Sequence, residues 1–331
     1  MDINWTSKKV LVTGAGGFIG SHLIDQLISN GAAVRAFVRY NSRADIGLLS
    51  LLPKTQLDQV DVIAGDLRDP DTVRQALDGA DLVFHLGALI AIPYSYLHPA
   101  EVVETNIQGT LNILLAARDL GTEKVIHTST SEVYGSALRV PIDEDHPLQG
   151  QSPYSASKIG ADKIAESFYC AYNLPVVTVR PFNTYGPRQS ARAVIPTIIS
   201  QALTQDELHI GRLDTRRDFT YVADTVSGFI KAAEVQGGFG EVFNLGTGSE
   251  VTIQDIIDTV FRITGRPLPV IQDSSRMRPG KSEVTRLLSD SHKAAQTLGW
   301  PPEITFEQGL RRTIDWIADH LDLYRVEVYQ R

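Results

Sequence analysis

The sequence predicts a doubly wound α/β fold, in which helices cover both faces of a parallel β-sheet. Short apolar segments rich in β-branched residues alternate with longer segments of helical periodicity, which is the pattern of repeated βα units. Each strand segment is almost continuously apolar, so we expect both faces of the sheet to be buried. The predicted strands are residues 9–12, 33–38, 60–64, 82–86, 124–129 and 176–180.

Helical spacing of apolar residues fills the segments between these strands. The predicted helices are residues 19–30, 71–77, 101–120 and 155–172. Parallel strands need a crossover connection between them, and a helix is the usual one. Strand and helix therefore follow one another as expected for a parallel sheet.

The pattern of the chain changes after Arg180. Pro181, Pro187 and Pro196 punctuate a segment that we predict to be rich in loops. Residues 223–233 and 242–245 again have the patterns of a helix and a strand, which indicates a return to the first sheet. We therefore predict one domain from residues 1–182 and about 222–246, and a smaller one from about 183–221 and 247–331.

Composition and charge exclude several classes of protein. The chain has 331 residues, with 31 basic and 39 acidic side chains and a net charge of −8, which opposes binding to nucleic acid or to an anionic membrane. The single cysteine, Cys170, cannot form an internal disulfide, so we expect a reducing, cytoplasmic location. No apolar run reaches the length of a membrane span, and we expect no signal peptide.

A glycine-rich turn follows the first predicted strand. Residues 13–20 read TGAGGFIG and run directly into an amphipathic helix. Glycines at such a turn let main-chain N–H groups approach a pyrophosphate, which the N-terminus of the helix also favours. We therefore predict a dinucleotide site at Gly14, Gly17 and Gly20, together with Phe18 and Ile19; the alternative is a glycine-rich turn without a ligand.

The end of the second strand bears on the choice of cofactor. An acidic side chain near this position binds a free ribose 2′-hydroxyl, whereas an arginine accommodates a 2′-phosphate. Arg39 lies 19 residues after Gly20 and favours NADP over NAD, unless it belongs to a solvated loop. Asp66 and Leu67 follow the third strand, where they can meet the adenine, although an aspartate there is equally often a helix cap.

Polar side chains after the fifth strand predict the catalytic site. Thr130, Ser131 and Glu132 lie at the carboxyl end of this strand, the edge at which ligands bind in such sheets. Tyr154 and Lys158 are four residues apart, which places both on one face of a helix. A nearby ammonium lowers the pKa of a phenol, so we predict that Tyr154 exchanges a proton with a sugar hydroxyl.

Together these motifs resemble the extended short-chain dehydrogenase/reductase superfamily, specifically its nucleotide-sugar epimerases and dehydratases, which have a Rossmann domain. The similarity covers nearly the whole chain. Its markers are TGAGGFIG at 13–20, GDLRD at 65–69, HLGA at 85–88, Asn106 with Gly109 and Thr110, STSEVYG at 129–135, Tyr154 with Lys158, RPFNTYGPR at 180–188 and RDFTYV at 217–222.

The resemblance implies a role for each of these catalytic residues. Tyr154 is implied as the base, Lys158 as a ligand of the nicotinamide ribose that orients Tyr154, and Thr130 as a ligand of the sugar 4-hydroxyl. The cofactor, NADP or NAD, is then tightly bound and recycled, because hydride returns to the substrate. The other implied ligands are Leu86 and Ala88 for the cofactor, and Asn183, Arg188, Arg217 and Arg278 for the nucleotide sugar.

Ser131 and Glu132 distinguish between members of this family. An epimerase oxidises and reduces the sugar only at C4, and this reaction does not require a second acid–base group such as Glu132. A 4,6-dehydratase also removes the C5 proton and expels the C6 hydroxyl, which needs a base and an acid. Many hexose dehydratases carry Asp-Glu at these two positions, whereas Ser-Glu resembles GDP-mannose dehydratases and UDP-glucuronate decarboxylases. Glu132 is therefore expected to be the only acid–base group of the elimination and to shuttle one proton, assisted by Ser131.

The substrate expectation also comes from resemblance. Residues 181–199 and 278–284 most resemble 4,6-dehydratases of legionaminic acid-type pathways, so we expect UDP-N-acetylglucosamine, with its GDP counterpart close behind. UDP-glucuronate decarboxylation is the main alternative and needs a cation for the sugar carboxylate, from Arg188, Arg192 or Arg278. A UDP-sugar 4-epimerase is a further alternative.

Three further expectations concern activity and assembly. A non-catalytic NAD(P)-binding regulator is an alternative of a different class, but it would be expected to lose Tyr154 or Lys158. No His, Cys or carboxylate cluster has the spacing of a metal site, so no metal is expected. The predicted helices 101–120 and 155–172 carry apolar residues on more than one face; packing in a homodimer, which the resemblance implies, explains this pattern as well as burial against the sheet does.

Overall fold

The computed structural model describes residues 3–277 and 279–324. Their strands, numbered in chain order, are β1 Lys9–Thr13, β2 Ala33–Arg39, β3 Val60–Gly65, β4 Leu82–His85, β5 Lys124–Thr128, β6 Val176–Pro181, β7 Asn183–Tyr185, β8 Leu208–Ile210, β9 Arg216–Arg217, β10 Phe219–Tyr221, β11 Val242–Leu245, β12 Val251–Thr252, β13 Val270–Gln272 and β14 Arg286–Leu287.

Seven of these strands form one parallel sheet in the order β11-β6-β5-β4-β1-β2-β3. The doubly wound α/β prediction is therefore confirmed. Strand β11 joins the sheet beside β6, as predicted for residues 242–245. The strand order reverses at β1, which pairs with both β2 and β4, and a ligand crevice is expected at such a point.

The α-helices cover the faces of this sheet and build the second region. They are α1 Phe18–Ser29, α2 Lys54–Leu57, α3 Pro70–Leu77, α4 Ile92–Leu97, α5 Pro99–Val103, α6 Gly109–Leu120, α7 Pro153–Tyr172, α8 Val194–Thr204, α9 Val222–Glu234, α10 Ile253–Thr264, α11 His292–Leu298 and α12 Phe306–Asp319. The predicted helix 101–120 comprises α5, a π-helical turn Glu104–Gln108 and α6.

The prediction that every strand is buried on both faces is wrong for β3. Asp61, Val62 and Ala64 are exposed there. Strand β3 lies at the edge of the sheet, and its apolar composition alone could not reveal that position. By contrast, every residue of β4 and β6, which lie inside the sheet, is buried.

The region after β6 contains more helix than the sequence predicted. Pro196 does not mark a loop but lies in the first turn of α8, where proline leaves no hydrogen bond unmade. Helices α8, α10 and α12 pack together, and three small sheets surround them, with orders β10-β7, β12-β9-β14 and β13-β8.

The largest apolar core continues from the sheet into the second region. Val12 and Phe84 from the sheet belong to the same cluster of buried side chains as Ile198 of α8 and Ile257 of α10. The predicted division into two domains stays a prediction. Within residues 3–277 and 279–324, no helix is both long and apolar enough to cross a membrane.

Candidate active site

A cleft of about 1070 Å³ opens at the carboxyl ends of the sheet strands. The glycine turn after β1 lines one side of it, and the residues after β5 together with the start of α7 line another. Residues of β7, α8 and the segments around β8 and β9 close the remaining side. The cleft thus brings together most of the residues that the sequence predicted for a cofactor and a sugar nucleotide.

The glycine turn has the shape that a dinucleotide requires. Gly14 has a φ of 67°, and a Cβ atom there would lie 2.8 Å from the main-chain nitrogen of Gly87. A Cβ atom on Gly20 would overlap the carbonyl oxygen of Gly14. Gly14, Gly17 and Gly20 all line the cleft, as do Phe18 and Ile19 at the start of α1. These residues fit the pyrophosphate of a nicotinamide dinucleotide.

Arg39 also lines the cleft, at the end of β2. Its guanidinium lies 3.2 Å from the carboxylate of Glu101 in α5, a contact that the sequence did not predict. Asp66 and Leu67 do not line the cleft. Asp66 accepts hydrogen bonds from Arg68, and Leu67 is buried against the main chain of Gly109. Because Asp69 caps α3, the helix-cap interpretation of Asp66 is wrong.

The segment after β4 contributes Leu86 and Ala88, which both line the cleft. Behind them the buried imidazole of His85 forms hydrogen bonds with Thr13 Oγ1, at 2.8 Å, and with Thr110 Oγ1, at 3.0 Å. Burial, with the nearby charges of His127 and Lys158, lowers the pKa of His85 well below its usual range. His85 is therefore a neutral group that ties neighbouring elements together.

Thr130, Ser131 and Glu132 line the cleft where β5 ends. Thr130 caps a 3₁₀ helix, Ser131–Tyr134, by accepting a hydrogen bond from the main-chain N–H of Glu132 at 3.3 Å. Ser131 is buried, whereas Thr130 and Glu132 are half-buried. This cap directs the chain so that three polar residues in succession face one space.

Tyr154 lines the same cleft, and Lys158, one turn further along α7, is buried. Burial raises the pKa of Tyr154, a hydrogen bond with Thr130 opposes this shift, and the negative charge of Glu132 adds to it. The Lys158 amine donates a 2.6 Å hydrogen bond to the carbonyl oxygen of Thr128. In the protein alone, the phenol pKa is thus raised and not lowered as the sequence argument expected.

A buried ion pair supports Lys158 from the next turn of α7. The carboxylate of Asp162 accepts hydrogen bonds from Ser129 Oγ at 2.7 Å, His127 Nε2 at 3.0 Å and Arg180 at 3.0 Å. Burial alone would raise the pKa of Asp162, but the hydrogen bond from His127 and the charge of Arg180 bring it well below its usual range.

The charge of Asp162 acts on Lys158 in turn. Burial lowers the pKa of Lys158 to about 8, and the negative charge of Asp162 limits that fall. Asp162 was not among the predicted site residues, although its spacing of four residues from Lys158 places both on one helical face.

The predicted substrate ligands are placed differently from one another. Asn183 lines the cleft, and its buried Oδ1 has no hydrogen-bond partner within the described part of the chain. Arg217 also lines the cleft, and its guanidinium donates a hydrogen bond to the carbonyl oxygen of Val284. Arg188 lies elsewhere, with its guanidinium 3.9 Å from Asp25 of α1. Arg278 lies outside the described residues.

Two tyrosines, Tyr94 and Tyr96, lie in α4, in the segment after β4. Tyr96 lines the cleft and forms a 2.7 Å hydrogen bond with Ser282. Tyr94 donates its hydroxyl hydrogen bond to Glu101. No group of three or more potential metal ligands occurs within residues 3–277 and 279–324.

The comparisons with known proteins agree with this geometry. The family described as GDP-mannose 4,6 dehydratase matches residues 11–313. A UDP-glucose 4-epimerase from Mycolicibacterium smegmatis is 32% identical over 94% of this chain and 99% of its own length. A UDP-N-acetyl-alpha-D-glucosaminuronate decarboxylase from Bacillus cytotoxicus is 32% identical over 94% and 98% of the two chains.

A solved structure represents a third activity. The crystal structure of a dTDP-glucose 4,6-dehydratase from Streptomyces venezuelae, with NAD bound, superposes with a TM-score of 0.84 at 30% identity. The match covers 96% of this chain and 99% of that one. The chain therefore belongs to the extended short-chain dehydrogenase/reductase enzymes that act on nucleotide sugars, a family of 4,6-dehydratases, 4-epimerases and decarboxylases.

Proposed function

We propose that this enzyme is a nucleotide-sugar 4,6-dehydratase. One observation carries the proposal: Glu132 lines the same cleft as Tyr154 and lies close enough for its negative charge to raise the pKa of the phenol. Oxidation and reduction at C4 need only Tyr154 as a proton-transfer group. A second ionisable group beside it supplies the base that elimination across C5 and C6 requires.

The enzyme depends on a nicotinamide cofactor, in keeping with its family. A nicotinamide cofactor held in the cleft would supply the hydride acceptor for sugar C4 and the hydride donor for C6. The glycine turn and the start of α1 would hold its pyrophosphate, and Leu86 and Ala88 would contact the remainder. Arg39 taken alone supports NADP, whereas its pairing with Glu101 supports NAD. Tight binding and recycling follow from the return of the hydride to the same sugar.

Tyr154, Lys158 and Thr130 perform the proton transfer at the sugar C4 hydroxyl. Thr130 binds this hydroxyl, and Tyr154 removes its proton as C4 is oxidised. The charged Lys158 lowers the proton affinity of the phenol once both groups face the reacting centre. Its hydrogen bond to Thr128 fixes α7 relative to the end of β5, which keeps Tyr154 opposite Thr130.

Glu132 and Ser131 perform the elimination. The C4 ketone acidifies the C5 proton, which the Glu132 carboxylate removes. The same proton then joins the departing C6 hydroxyl as water, so Glu132 acts first as base and then as acid. Ser131 assists by hydrogen bonding at this end of the sugar. After hydride addition at C6, C5 takes a proton that comes ultimately from solvent.

The proposed substrate is UDP-N-acetylglucosamine, with GDP-N-acetylglucosamine as the second choice. This choice rests on the resemblance of residues 181–199 to dehydratases of legionaminic acid-type pathways. Asn183 and Arg217 support a nucleotide diphosphate site, because both line the cleft and Asn183 has an unpartnered buried oxygen there. Arg188 gains no such support from its position beside α1.

Decarboxylation of UDP-glucuronate is the second candidate. It needs a cation for the sugar carboxylate, and Arg192, one of the residues suggested for this role, lines the cleft. The decarboxylase relative and the epimerase relative are equally similar to this chain, each being 32% identical over 94% of it. Epimerisation at C4 leaves Glu132 without a function, so the geometry favours it least.

Assembly and location are part of the proposal. Helices α6 and α7 pack side by side on one face of the sheet, and we propose that they form a homodimer interface. Tyr172 at the end of α7 is 53% exposed, an aromatic surface that such an interface would cover. The single cysteine supports a cytoplasmic location.

Mass spectrometry of the reaction products tests the proposal. The purified enzyme is incubated with UDP-N-acetylglucosamine, GDP-N-acetylglucosamine and UDP-glucuronate, with and without added NAD or NADP. The proposal predicts loss of one water from an N-acetylglucosamine nucleotide. Loss of carbon dioxide from the glucuronate would establish the decarboxylase, and an epimer of unchanged mass, detected by NMR, would establish the epimerase.

A further inference from the structure

A cluster of charged side chains surrounds the end of β2, where dinucleotide-binding folds place the adenosine ribose. Arg39 lies at this end and lines the cleft. Its guanidinium is 3.2 Å from Glu101, which is 62 residues further along the chain. Any group at the ribose 2′ position that needs the positive charge of Arg39 must therefore compete with a carboxylate already bound to it.

Two hydrogen-bond donors hold Glu101 in this position. One carboxylate oxygen accepts from Arg39, and the other accepts from the hydroxyl of Tyr94 in α4. The hydrogen bond from Tyr94, with that from Arg39, lowers the pKa of Glu101. Glu101 is therefore ionised at neutral pH, and both of its oxygens are engaged.

The neighbouring charges do not restore a positive field. Arg68, the other guanidinium of the cluster, donates to Asp66 at 2.6 Å and lies 3.7 Å from Glu104. The loop after β2 adds one charge of each sign. The cluster thus contains two arginines and three carboxylates, Arg39, Arg68, Asp66, Glu101 and Glu104, and its net charge is −1. The two loop charges, Arg43 and Asp45, cancel each other and leave this net charge unchanged.

We propose that Glu101 determines cofactor choice by neutralising Arg39, so that this enzyme binds NAD in preference to NADP. The inference rests on the proposed function only in assuming a nicotinamide cofactor in the cleft. A 2′-phosphate brings roughly two negative charges into a cluster that is already negative. A ribose 2′-hydroxyl is neutral and meets no such repulsion, while Arg39 still offers it hydrogen-bond donors.

The pairing reverses what Arg39 indicates when it is considered alone. An arginine at the end of the second strand favours a 2′-phosphate because its charge is free to bind one. Glu101 removes that condition through a contact between β2 and α5. The identity of the residue at the end of the second strand is therefore not enough to predict cofactor preference, because the preference also depends on the residue that pairs with it.

A competition experiment measures the preference without using catalysis. The enzyme is equilibrated with equal concentrations of NADH and NADPH, free dinucleotide is removed, and the bound fraction is released by denaturation and quantified by mass spectrometry. Wild-type enzyme is expected to retain at least about tenfold more NADH. Glu101→Gln, which keeps an oxygen for Tyr94, is expected to shift the ratio about tenfold or more toward NADPH.

Two further variants make the result specific. Glu123→Gln removes an ion-paired carboxylate at the opposite end of the sheet and is expected to leave the ratio unchanged. Adding Arg39→Ala to Glu101→Gln is expected to abolish the increase in bound NADPH, because that increase depends on the guanidinium of Arg39. An excess of NADPH on the wild-type enzyme, or an unchanged ratio in Glu101→Gln, overturns the inference.

This experiment, combined with the product assay for water loss, separates this inference from the proposed function. Absence of both dinucleotides would overturn the nicotinamide site and both proposals with it. A normal NADH excess in an enzyme that releases no water from any sugar nucleotide would overturn the dehydratase alone and leave the role of Glu101 intact.

Discussion

The amine of Lys158 donates a 2.6 Å hydrogen bond to the main-chain carbonyl of Thr128. This bond joins helix α7, which carries Tyr154, to the end of β5, which leads to Thr130 and Glu132. Lys158 thus positions the two halves of the catalytic site relative to each other, in addition to the cofactor contact that the family resemblance implies.

The charge of Lys158 is expected to set the alkaline limit of activity. Burial lowers its pKa to about 8, and Asp162 opposes the shift. Asp162→Asn removes that negative charge, which lowers the pKa of Lys158 further and moves the alkaline limb of the pH–rate profile to lower pH. The rate of water loss as a function of pH measures this shift.

Ser129→Ala is the control for Asp162→Asn. It removes one hydrogen bond to the same carboxylate but no charge, so the alkaline limb is expected to stay in place. Asp162→Asn also breaks the buried pair with Arg180 and is expected to lower the free energy of unfolding by about 3–5 kcal/mol. An alkaline limb that does not move in Asp162→Asn would assign it to another group.

Tyr154→Phe tests the proton transfer at C4. Loss of the hydroxyl is expected to reduce turnover by at least about a hundredfold, because the proton of the sugar hydroxyl has no acceptor. Binding of the sugar nucleotide, measured by calorimetry, is expected to persist. Tyr172→Phe removes a hydroxyl from the far end of the same helix but keeps the aromatic ring that the proposed homodimer interface would cover, so this variant is expected to keep full activity. Comparable activity in the two variants would contradict the role of Tyr154.

Gly14→Ala tests the fit of the dinucleotide turn. The new methyl group would meet the main chain of Gly87, and NADH binding is expected to weaken by at least about tenfold. Gly121 has a similar φ of 71° and no neighbour within 4 Å of an added Cβ atom. Gly121→Ala is expected to cost about 1 kcal/mol of stability without affecting NADH binding. Fluorescence titration with NADH measures binding to both variants. Equal losses of NADH binding in Gly14→Ala and Gly121→Ala would show that the effect is not specific to the glycine turn.

Acid is expected to destabilise the enzyme through His22. Burial lowers its pKa from 6.5 to about 4, so the folded protein binds fewer protons than the unfolded chain in this interval. Its contribution to stability is complete above pH 6.5 and is lost as the pH falls toward 4, by up to about 3 kcal/mol.

His22→Gln is expected to reduce this pH dependence while keeping a donor for the carbonyl of Pro187. Urea denaturation between pH 4 and pH 7 measures the slope. His85 and His127 are also buried with lowered pKa values, so part of the acid sensitivity is expected to persist. An identical slope in wild type and His22→Gln would show that His22 does not contribute.

The local sequence pattern was sufficient to predict the parallel sheet and the residues that lie at the carboxyl ends of its strands. The glycine turn, Thr130 to Glu132 and Tyr154 each follow or precede a strongly periodic segment, and all of them line one cleft. Ligand crevices form at the carboxyl ends of parallel strands, so the order of the elements along the chain already places these residues near each other.

The features that the sequence did not predict depend on packing between distant segments. The exposure of Val62 follows from the edge position of β3, which composition does not encode. Pro196 reads as a loop signal but fits the first turn of α8. The pairing of Arg39 with Glu101 arises only when α5 packs beside the end of β2, and it changes the cofactor that Arg39 indicates.

The most direct test of the dehydratase is the mass of the product formed from UDP-N-acetylglucosamine in deuterium oxide. The account predicts a product that has lost one water and carries one deuterium at C5, because Glu132 removes the C5 proton and solvent later replaces it. Glu132→Gln is expected to show neither the loss of water nor the incorporation of deuterium, whereas Glu123→Gln is expected to match the wild-type enzyme in both. Water loss by Glu132→Gln at the wild-type rate would contradict the account.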